Sequence, residues 1–391
     1  MVLNFFNSAI NLTIFLKILE GGLEMLKVDK KEFIDGLSVV GKVVRTTPTM
    51  PILSNVKIEV KDGRGKIIGT DLEIGIIYYF NCEGEDTEFL VSERIIEDIV
   101  KSFSDETFII DVNEGFIEIK SKNNLYKVRT VDDEFPFINI ENIDKRIDFK
   151  TEYIKKGLRK INFAIGLPER TRIEFTSALF EIKEDVVKIV GTDGNRLALY
   201  KNGDFKRDES EFEFLVPKQS ISMLINVLSF EKKDTITFGF SGKSFYYEGD
   251  RIYFISRLGQ GKFPDYEMVL PKENSDFVIL NREELIKALS RINLITREGT
   301  GKVTFEKVDD TLKLYGFSTE IGEGVENIGI FEGNLKNGVK IFFDTKRLIE
   351  GLKYIDDERV KMLVFDPEAP ITFKGLKDEN FFYIIMPYRS E

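Results

Sequence analysis

Gly191-Thr-Asp-Gly-Asn195, reached through the strand-like run Ala178-Leu-Phe-Glu-Ile182, decides the fold because the chain writes this pattern three times. An earlier copy runs from Asn55-Val-Lys-Ile-Glu-Val60 to Gly69-Thr-Asp-Leu-Glu73. A later, more worn copy runs from Val303-Thr-Phe-Glu306 to Gly316-Phe-Ser-Thr-Glu320. The leading glycines stand 122 and 125 residues apart. Other landmarks keep step: Glu88-Phe-Leu-Val91, Glu213-Phe-Leu-Val216 and Lys340-Ile-Phe-Phe343, each followed by an amphipathic segment. Glu134-Phe-Pro136, Lys262-Phe-Pro264 and Ile385-Met-Pro387 close the units. A solenoid repeat is shorter, roughly 20–50 residues, whereas domains are commonly about 100–150. The expected organisation is an extension at 1–24 followed by three like domains at 25–145, 146–275 and 276–391.

Composition narrows the chemistry. With 42% hydrophobic and 31% charged residues, the chain has ample core material. Cys82 is its one cysteine, so an intrachain disulfide is impossible, which fits a reducing cytoplasm. Histidine is absent, which removes the commonest general base and metal ligand together with Ser-His-Asp and Cys-His catalysis. No catalytic residue, metal or cofactor is expected. The formal charge of −11 argues against blanket nucleic-acid binding and demands a local basic surface if DNA is involved. The first two dozen residues are apolar only in patches, interrupted by Asn4, Asn7, Asn11 and Lys17. They lack the basic start and cleavage site of a signal peptide and fall short of a spanning helix. Met25 is the expected true start, with Glu20-Gly21-Gly22 read as a translated ribosome-binding site.

Each unit opens with a helix. Phe33, Leu37, Val40 and Val44 form one stripe; Ile154, Leu158, Ile161 and Ile165 form the second; Leu285, Leu289 and Ile292 the third. Asp29 with Glu32, Thr151, and Asn281 with Glu284 read as start signals. Second helices are expected at 92–103, 218–228 and 345–354. The remainder alternates with period two between turn signals such as Asp62-Gly63, Glu114-Gly115 and Asp309-Asp310. The predicted class is α+β, two helices on an antiparallel sheet, three times over.

The polar faces of the opening helices carry cations. Lys155, Lys156, Arg159 and Lys160 fall opposite the apolar stripe of the second, and with Arg170 and Arg172 against Glu169 the segment 153–172 is net +5. The first unit offers Lys31, Lys42 and Arg45, and the third Lys287, Arg291, Arg297 and Lys302, with acidic residues mixed in. One basic helix face is ordinary solvated surface. The same face in three equivalent helices suits a phosphate backbone, which lysine and arginine neutralise without reading bases.

With Arg45-Thr-Thr-Pro-Thr-Met-Pro-Ile-Leu53, Gly191-Thr-Asp-Gly-Asn-Arg-Leu-Ala198, Lys262-Phe-Pro-Asp-Tyr266 and Met386-Pro-Tyr-Arg389, the triplicate resembles the bacterial DNA polymerase III beta subunit, the sliding clamp, from Met25 to the end. The resemblance implies a head-to-tail homodimer forming a six-domain ring around duplex DNA, with helices lining the channel. Such a clamp is a processivity factor and performs no chemistry. Its partners would be duplex DNA held topologically, a second copy, the replicative polymerase, the clamp loader and other proteins carrying short hydrophobic peptides; no membrane is involved. The family's peptide cleft, carried over by position, comprises Phe175, Thr192, Gly194, Asn195, Arg196 and Leu197, then Pro264, Met268 and Val269, then Pro370, Ile384, Met386, Pro387, Tyr388 and Arg389. Asn195 stands where histidine is frequent and Tyr388 where methionine is frequent. Asp193 is read as a structural cap of its own turn, with Arg196 and Leu197 functional. Tyr126 and Val128 of the edge strand 124–128 are the implied dimer plugs, meeting Leu294 and Ile295 of the partner copy.

Two rivals remain in view. A metal-dependent nuclease would use Asp71, Asp193 and Glu320, but three separate domains hold these apart while a two-metal site needs ions about 4 Å apart. A tandem nucleic-acid-binding adaptor acting as an open monomer needs aromatics interleaved with basic residues, and the basic helix offers only Tyr153 and Phe163.

Overall fold

The computed structural model describes residues 24–44, 50–137, 144–183, 186–203, 205–207 and 211–389. Residues 1–23 of the expected extension, Arg45 and Ser390-Glu391 lie outside the described residues. The chain divides into two compact units, residues 1–146 with 226–257, and residues 147–225 with 258–391. The second repeat is thus shared between them.

In the first unit, strand order runs Thr235–Ser241, Ser244–Glu248, Ile252–Arg257, Ile74–Gly84, Glu24–Asp29, Thr107–Asn113, Phe116–Ser121 and Asn124–Arg129. Asn55–Lys61, Arg64–Thr70 and Thr87–Ser92 branch from it at Ile74–Gly84. Asp62-Gly63 makes the tight hairpin with φ of 51° and 73°, the left-handed pair that matches strand twist. Helix α1 (Lys30–Val40) starts where the Asp29 carboxylate accepts from the Glu32 N–H at 2.8 Å. It buries Phe33, Leu37 and Val40 but stops at Gly41, so Val44 of the expected stripe lies past its end. Helix α2 (Glu93–Ser102) follows the Phe-Leu-Val strand and buries Ile96 and Val100.

In the second unit a nine-stranded sheet runs Phe212–Pro217, Ser177–Lys183, Val186–Thr192, Arg196–Asn202, Phe381–Ile385, Ile371–Gly375, Arg359–Val364, Asp276–Asn281 and Glu332–Gly333. A four-stranded sheet runs Gly322–Gly329, Thr311–Ser318, Lys302–Val308 and Lys340–Asp344. Helix α3 (Thr151–Asn162) buries Ile154, Leu158 and Ile161. Its cap is Lys150 and Thr151 is already helical and buried, which corrects the expected start by one residue. Helix α4 (Lys218–Leu228) matches its expected range. Helix α5 (Arg282–Thr296) is capped by Asn281 at 2.9 Å from the Glu284 N–H, and α6 (Thr345–Leu352) by Asp344 at 2.9 Å from the Arg347 N–H.

The repeated turn is one hydrogen-bond circuit. Thr70 Oγ1 donates to Ile74 O at 2.8 Å while Asp71 Oδ1 accepts from the N–H groups of Glu73 and Ile74. Thr192 donates to Arg196 O at 2.7 Å and Asp193 accepts from Asn195 and Arg196 in the same way. Leu72 (φ 76°) and Gly194 (φ 88°) hold the matching left-handed position. Among the described residues the third copy keeps the Glu320 N–H to Ser318 Oγ bond, the counterpart of Leu72 N–H to Thr70 and Gly194 N–H to Thr192, so the circuit is worn there as its sequence is.

The repeats are stitched by a recurring junction. The fourth strand of repeat one (Ile74–Gly84) pairs antiparallel with the last strand of repeat two, Ile252 opposite Tyr78. The fourth strand of repeat two (Arg196–Asn202) pairs with the last strand of repeat three, Leu197 opposite Ile384. Among the described residues, the fourth strand of repeat three (Gly322–Gly329) and the last of repeat one (Asn124–Arg129) are the corresponding strands left at sheet edges. No helix among the described residues is long and apolar enough to cross a membrane.

Candidate functional site

The seam between repeats two and three carries the expected cleft residues. Leu197 and Ile384 are buried in one cluster with Leu179, Val190, Leu199, Leu215, Phe263 and Tyr266, and Val269, Leu270 and Phe382 pack at its margin. The segment 263–270 crosses this cluster as a short 3-10 turn, Tyr266–Val269. Its anchor is buried: the Tyr266 hydroxyl donates to Glu181 at 2.7 Å, and Lys188 bridges Glu181 and Glu267 at 3.1 and 3.2 Å. Burial opposes ionisation of Glu181, yet the bonds from Lys183, Tyr266 and Lys188 hold its carboxyl below the ordinary range. Burial and that same carboxylate push the Tyr266 phenol up.

The rim is apolar and open. Met268 is 77% exposed and Met386 42% exposed, while Pro264, Pro370 and Pro387 are half-buried. The tail is pinned to both repeats: Met386 N–H donates to Asn195 O and Tyr388 N–H to Phe342 O, each at 2.8 Å. The Tyr388 hydroxyl reaches Asp344 at 3.4 Å and Lys302 lies 5.0 Å over its ring. Phe175 sits beneath Gly194, where an added Cβ would come within 3.2 Å of its ring. Asn195 and Arg389 are exposed, and the Thr192 hydroxyl is committed to the turn.

Arg196 does not open onto that rim. Its guanidinium donates to Asp193 at 3.0 Å, to Glu350 of α6 at 2.5 Å and to Phe163 O at 2.9 Å, with its side chain 11% exposed. It braces the second repeat against the third. Asp193 caps its own turn as the sequence implies, but also draws Arg347 to 3.9 Å, and Arg347 pairs with Asp344 at 3.0 Å. This chain of charges, with Tyr266 and Glu181, escapes sequence reasoning because its members come from four distant segments. The Lys262-Phe-Pro-Asp-Tyr266 motif and the Asp344–Arg347 capping spacing were the available signals.

The basic helix faces divide. Lys31, Lys42, Arg159, Arg170 and Arg172 are exposed, and Lys155 is half-buried. Lys160 is buried instead, 3.0 Å from both Asp356 and Asp378, and Lys156 reaches the same two carboxylates at 3.0 and 3.5 Å. Both tie α3 to the third repeat, and the buried Lys160 is corrected out of the expected DNA-channel residues, whereas the Lys156 side chain stays 41% exposed; helical periodicity alone could not show that carboxylates from another repeat cover this flank. In the third repeat Lys287 pairs with Glu283, Arg297 with Glu298, and Arg291 with Glu326 through two 2.7 Å bonds. Its face is close to neutral.

At the edge strand, Leu125 is 61% and Tyr126 41% exposed, while Val128 is buried opposite Ile117. Val128 is thereby corrected as an outward-facing plug; Leu125, of opposite strand parity, lies on the open side. Leu294 is exposed and Ile295 half-buried on α5, the latter beneath Gly324 of the edge strand Gly322–Gly329.

A chain of three like two-helix domains, stitched fourth strand to last strand into common sheets, defines a triplicated clamp-type architecture. Residues 25–140, 148–265 and 267–389 match in turn the N-terminal, central and C-terminal domains of the DNA polymerase III beta subunit, and the chain belongs to that family. Similar proteins include the beta sliding clamp of Pseudomonas putida, 25% identical over 367 residues that span 93% of this chain and 99% of the relative. The crystal structure of the Thermotoga maritima DNA polymerase III beta subunit is 27% identical, with a TM-score of 0.86 over 94% of this chain and 100% of that one. The Pseudomonas aeruginosa beta subunit shares the fold at 24% identity, with a TM-score of 0.88 over 94% of this chain and 100% of that one.

Proposed function

We propose that this chain is a non-enzymatic DNA polymerase processivity factor that closes head-to-tail with a second copy into a ring around duplex DNA. The observation that carries it is the recurring junction: twice within the chain, the fourth strand of one repeat pairs with the last strand of the next. Continued once more, the rule pairs Gly322–Gly329 of one copy with Asn124–Arg129 of another, and two such pairings close six domains. An unpaired edge strand is otherwise a liability for aggregation. Family membership over the whole of 25–389 supports the same reading. The domain boundaries are 25–145, 146–275 and 276–391.

Lys31, Lys42, Lys155, Arg159, Arg170 and Arg172 supply the phosphate-facing charge, modest beside an acidic exterior, so that DNA is enclosed without being gripped. The seam of Leu197, Val269, Ile384, Met386 and Tyr388, rimmed by Met268 and the prolines, takes short hydrophobic peptides of the polymerase, the clamp loader and other partners in the cytoplasm. Methionine walls tolerate several anchors. Retention on circular against linearised DNA after loading tests the proposal: loss from linear ends but not from circles is expected, and equal retention on both refutes the topological link.

A further inference from the structure

We propose that a lysine-lined groove on the third repeat receives an acidic segment of the partner peptides; this rests on the cleft reading above and names the charge of the peptide flank. The groove, about 570 Å³, lies between the linker 271–275 and a floor of Phe277, Lys361, Leu363 and Lys374, with Lys272 and Asn334 on its sides. Lys361 and Lys374 stand directly opposite each other in an antiparallel strand pair. Like charges so placed destabilise a sheet unless an anion joins them.

Several other cations on these sheets are compensated: Lys188 and Lys183 by Glu181, Lys340 by Glu306. Among the described residues, Lys272, Lys361 and Lys374 have no carboxylate at ion-pairing distance. Each lies over an aromatic ring instead, at 4.0 Å from the Phe365 centroid, 3.9 Å from Phe277 and 5.8 Å from Phe382 respectively. Three ammonium groups held over ring faces in a chain of net −11 form a local positive site that a carboxylate complements. Glu273 on the linker is the one carboxylate among the lining residues. Stacked bases are the poorer fit, because the ring faces they would use are already covered by ammonium groups.

The groove continues the cleft along one sheet face. A cross-strand row runs Leu197, Ile384, Thr372, Leu363 and Phe277, and the next row runs Leu199, Phe382, Lys374 and Lys361. Phe382 belongs to both sites, packing on the apolar cluster and lying under Lys374. Adjacent strands are about 4.8 Å apart, so roughly 10 Å separates the Ile384 strand from the Lys361 strand, about three residues of extended peptide. Carboxylates three to five residues from the apolar anchor would reach the lysines.

The test uses fluorescein-labelled synthetic peptides with a Leu-Phe anchor flanked, on either side, by three glutamates or by three glutamines. Anisotropy with the full chain at low salt should show one glutamate peptide binding about tenfold tighter than its glutamine twin. Lys361→Ala with Lys374→Ala should erase that advantage and leave the glutamine peptide unchanged. Equal affinity of the twins in the unsubstituted protein overturns the proposal, as does an oligothymidylate that binds at the same lysines and displaces the glutamate peptide. If no anchored peptide binds, the cleft reading has failed, and hexaglutamate alone then decides the groove: binding lost in the double variant sustains it, and no binding overturns it.

Discussion

Lys160 Nζ lies 3.0 Å from Asp378 and 3.0 Å from Asp356, two carboxylates of the third repeat that close over helix α3 of the second. Lys156 joins the same cluster, and the Phe381 ring lies 4.6 Å below the Lys160 ammonium. The second and third repeats are thereby locked by buried charge as well as by a shared sheet.

Lys160→Ala leaves the 14%-exposed Asp378 side chain without its main partner and should cost about 3 kcal/mol, read as a lower urea midpoint. Burial alone would raise both aspartates, but Lys160 and Lys156 outweigh it and hold their carboxyls below the ordinary range. A depressed carboxyl stabilises the fold above its unfolded pKa of about 3.9 and stops doing so as pH falls through the lower folded value. The gap between native and variant should therefore persist at neutral pH and close in acid. A gap unchanged in strong acid would refute the electrostatic account.

Lys155→Glu with Arg159→Glu should reduce retention on nicked circular DNA several-fold and weaken its salt dependence, with the dimer intact. Unchanged retention would remove α3 from the DNA-facing surface.

Leu125→Glu puts a charge on the open side of the edge strand and should yield folded monomers in sedimentation equilibrium. Val128→Glu, at a position 9% exposed, should instead unfold the domain, seen as lost circular dichroism. A dimeric Leu125→Glu protein would count against pairing through this edge.

Deleting 386–391 removes the Met386 and Tyr388 backbone bonds to Asn195 and Phe342. Partner-peptide binding should be lost while sedimentation still reports a dimer; retained binding would displace the cleft.

Glu93, at the start of α2, has its pKa pushed up to about 7, first by burial and then by the charge of Glu97. A raised carboxyl favours the folded state at low pH, and that advantage fades as pH climbs from its ordinary 4.5 through about 7. Glu93→Gln should flatten thermal stability between those limits and raise it on the alkaline side. An unchanged pH profile would exclude Glu93 as its source.

Periodicity and repeated landmarks were enough to show that there are three like domains and to place the opening helices and the Gly-Thr-Asp turn, because those depend on local backbone chemistry. Asp29 and Asn281 cap as their spacing implies, and Asp193 serves its own turn. Val44 and Thr151 were misplaced by one helix end each, where a glycine stop and a buried first turn outweigh the pattern.

The linear chain determined the triplication, the absence of histidine chemistry and the hydrophobic character of the seam residues, all of which are properties of neighbours in sequence. Which charges meet was decided only in three dimensions. Lys160 and Arg196 look like solvent-facing cations on a helix and a strand, yet carboxylates from positions 356, 378 and 350 bury or brace them. Lys361 and Lys374 look like scattered surface lysines until strand register sets them face to face. Coulombic partners are chosen by proximity in space, and proximity between repeats is not written in any local period.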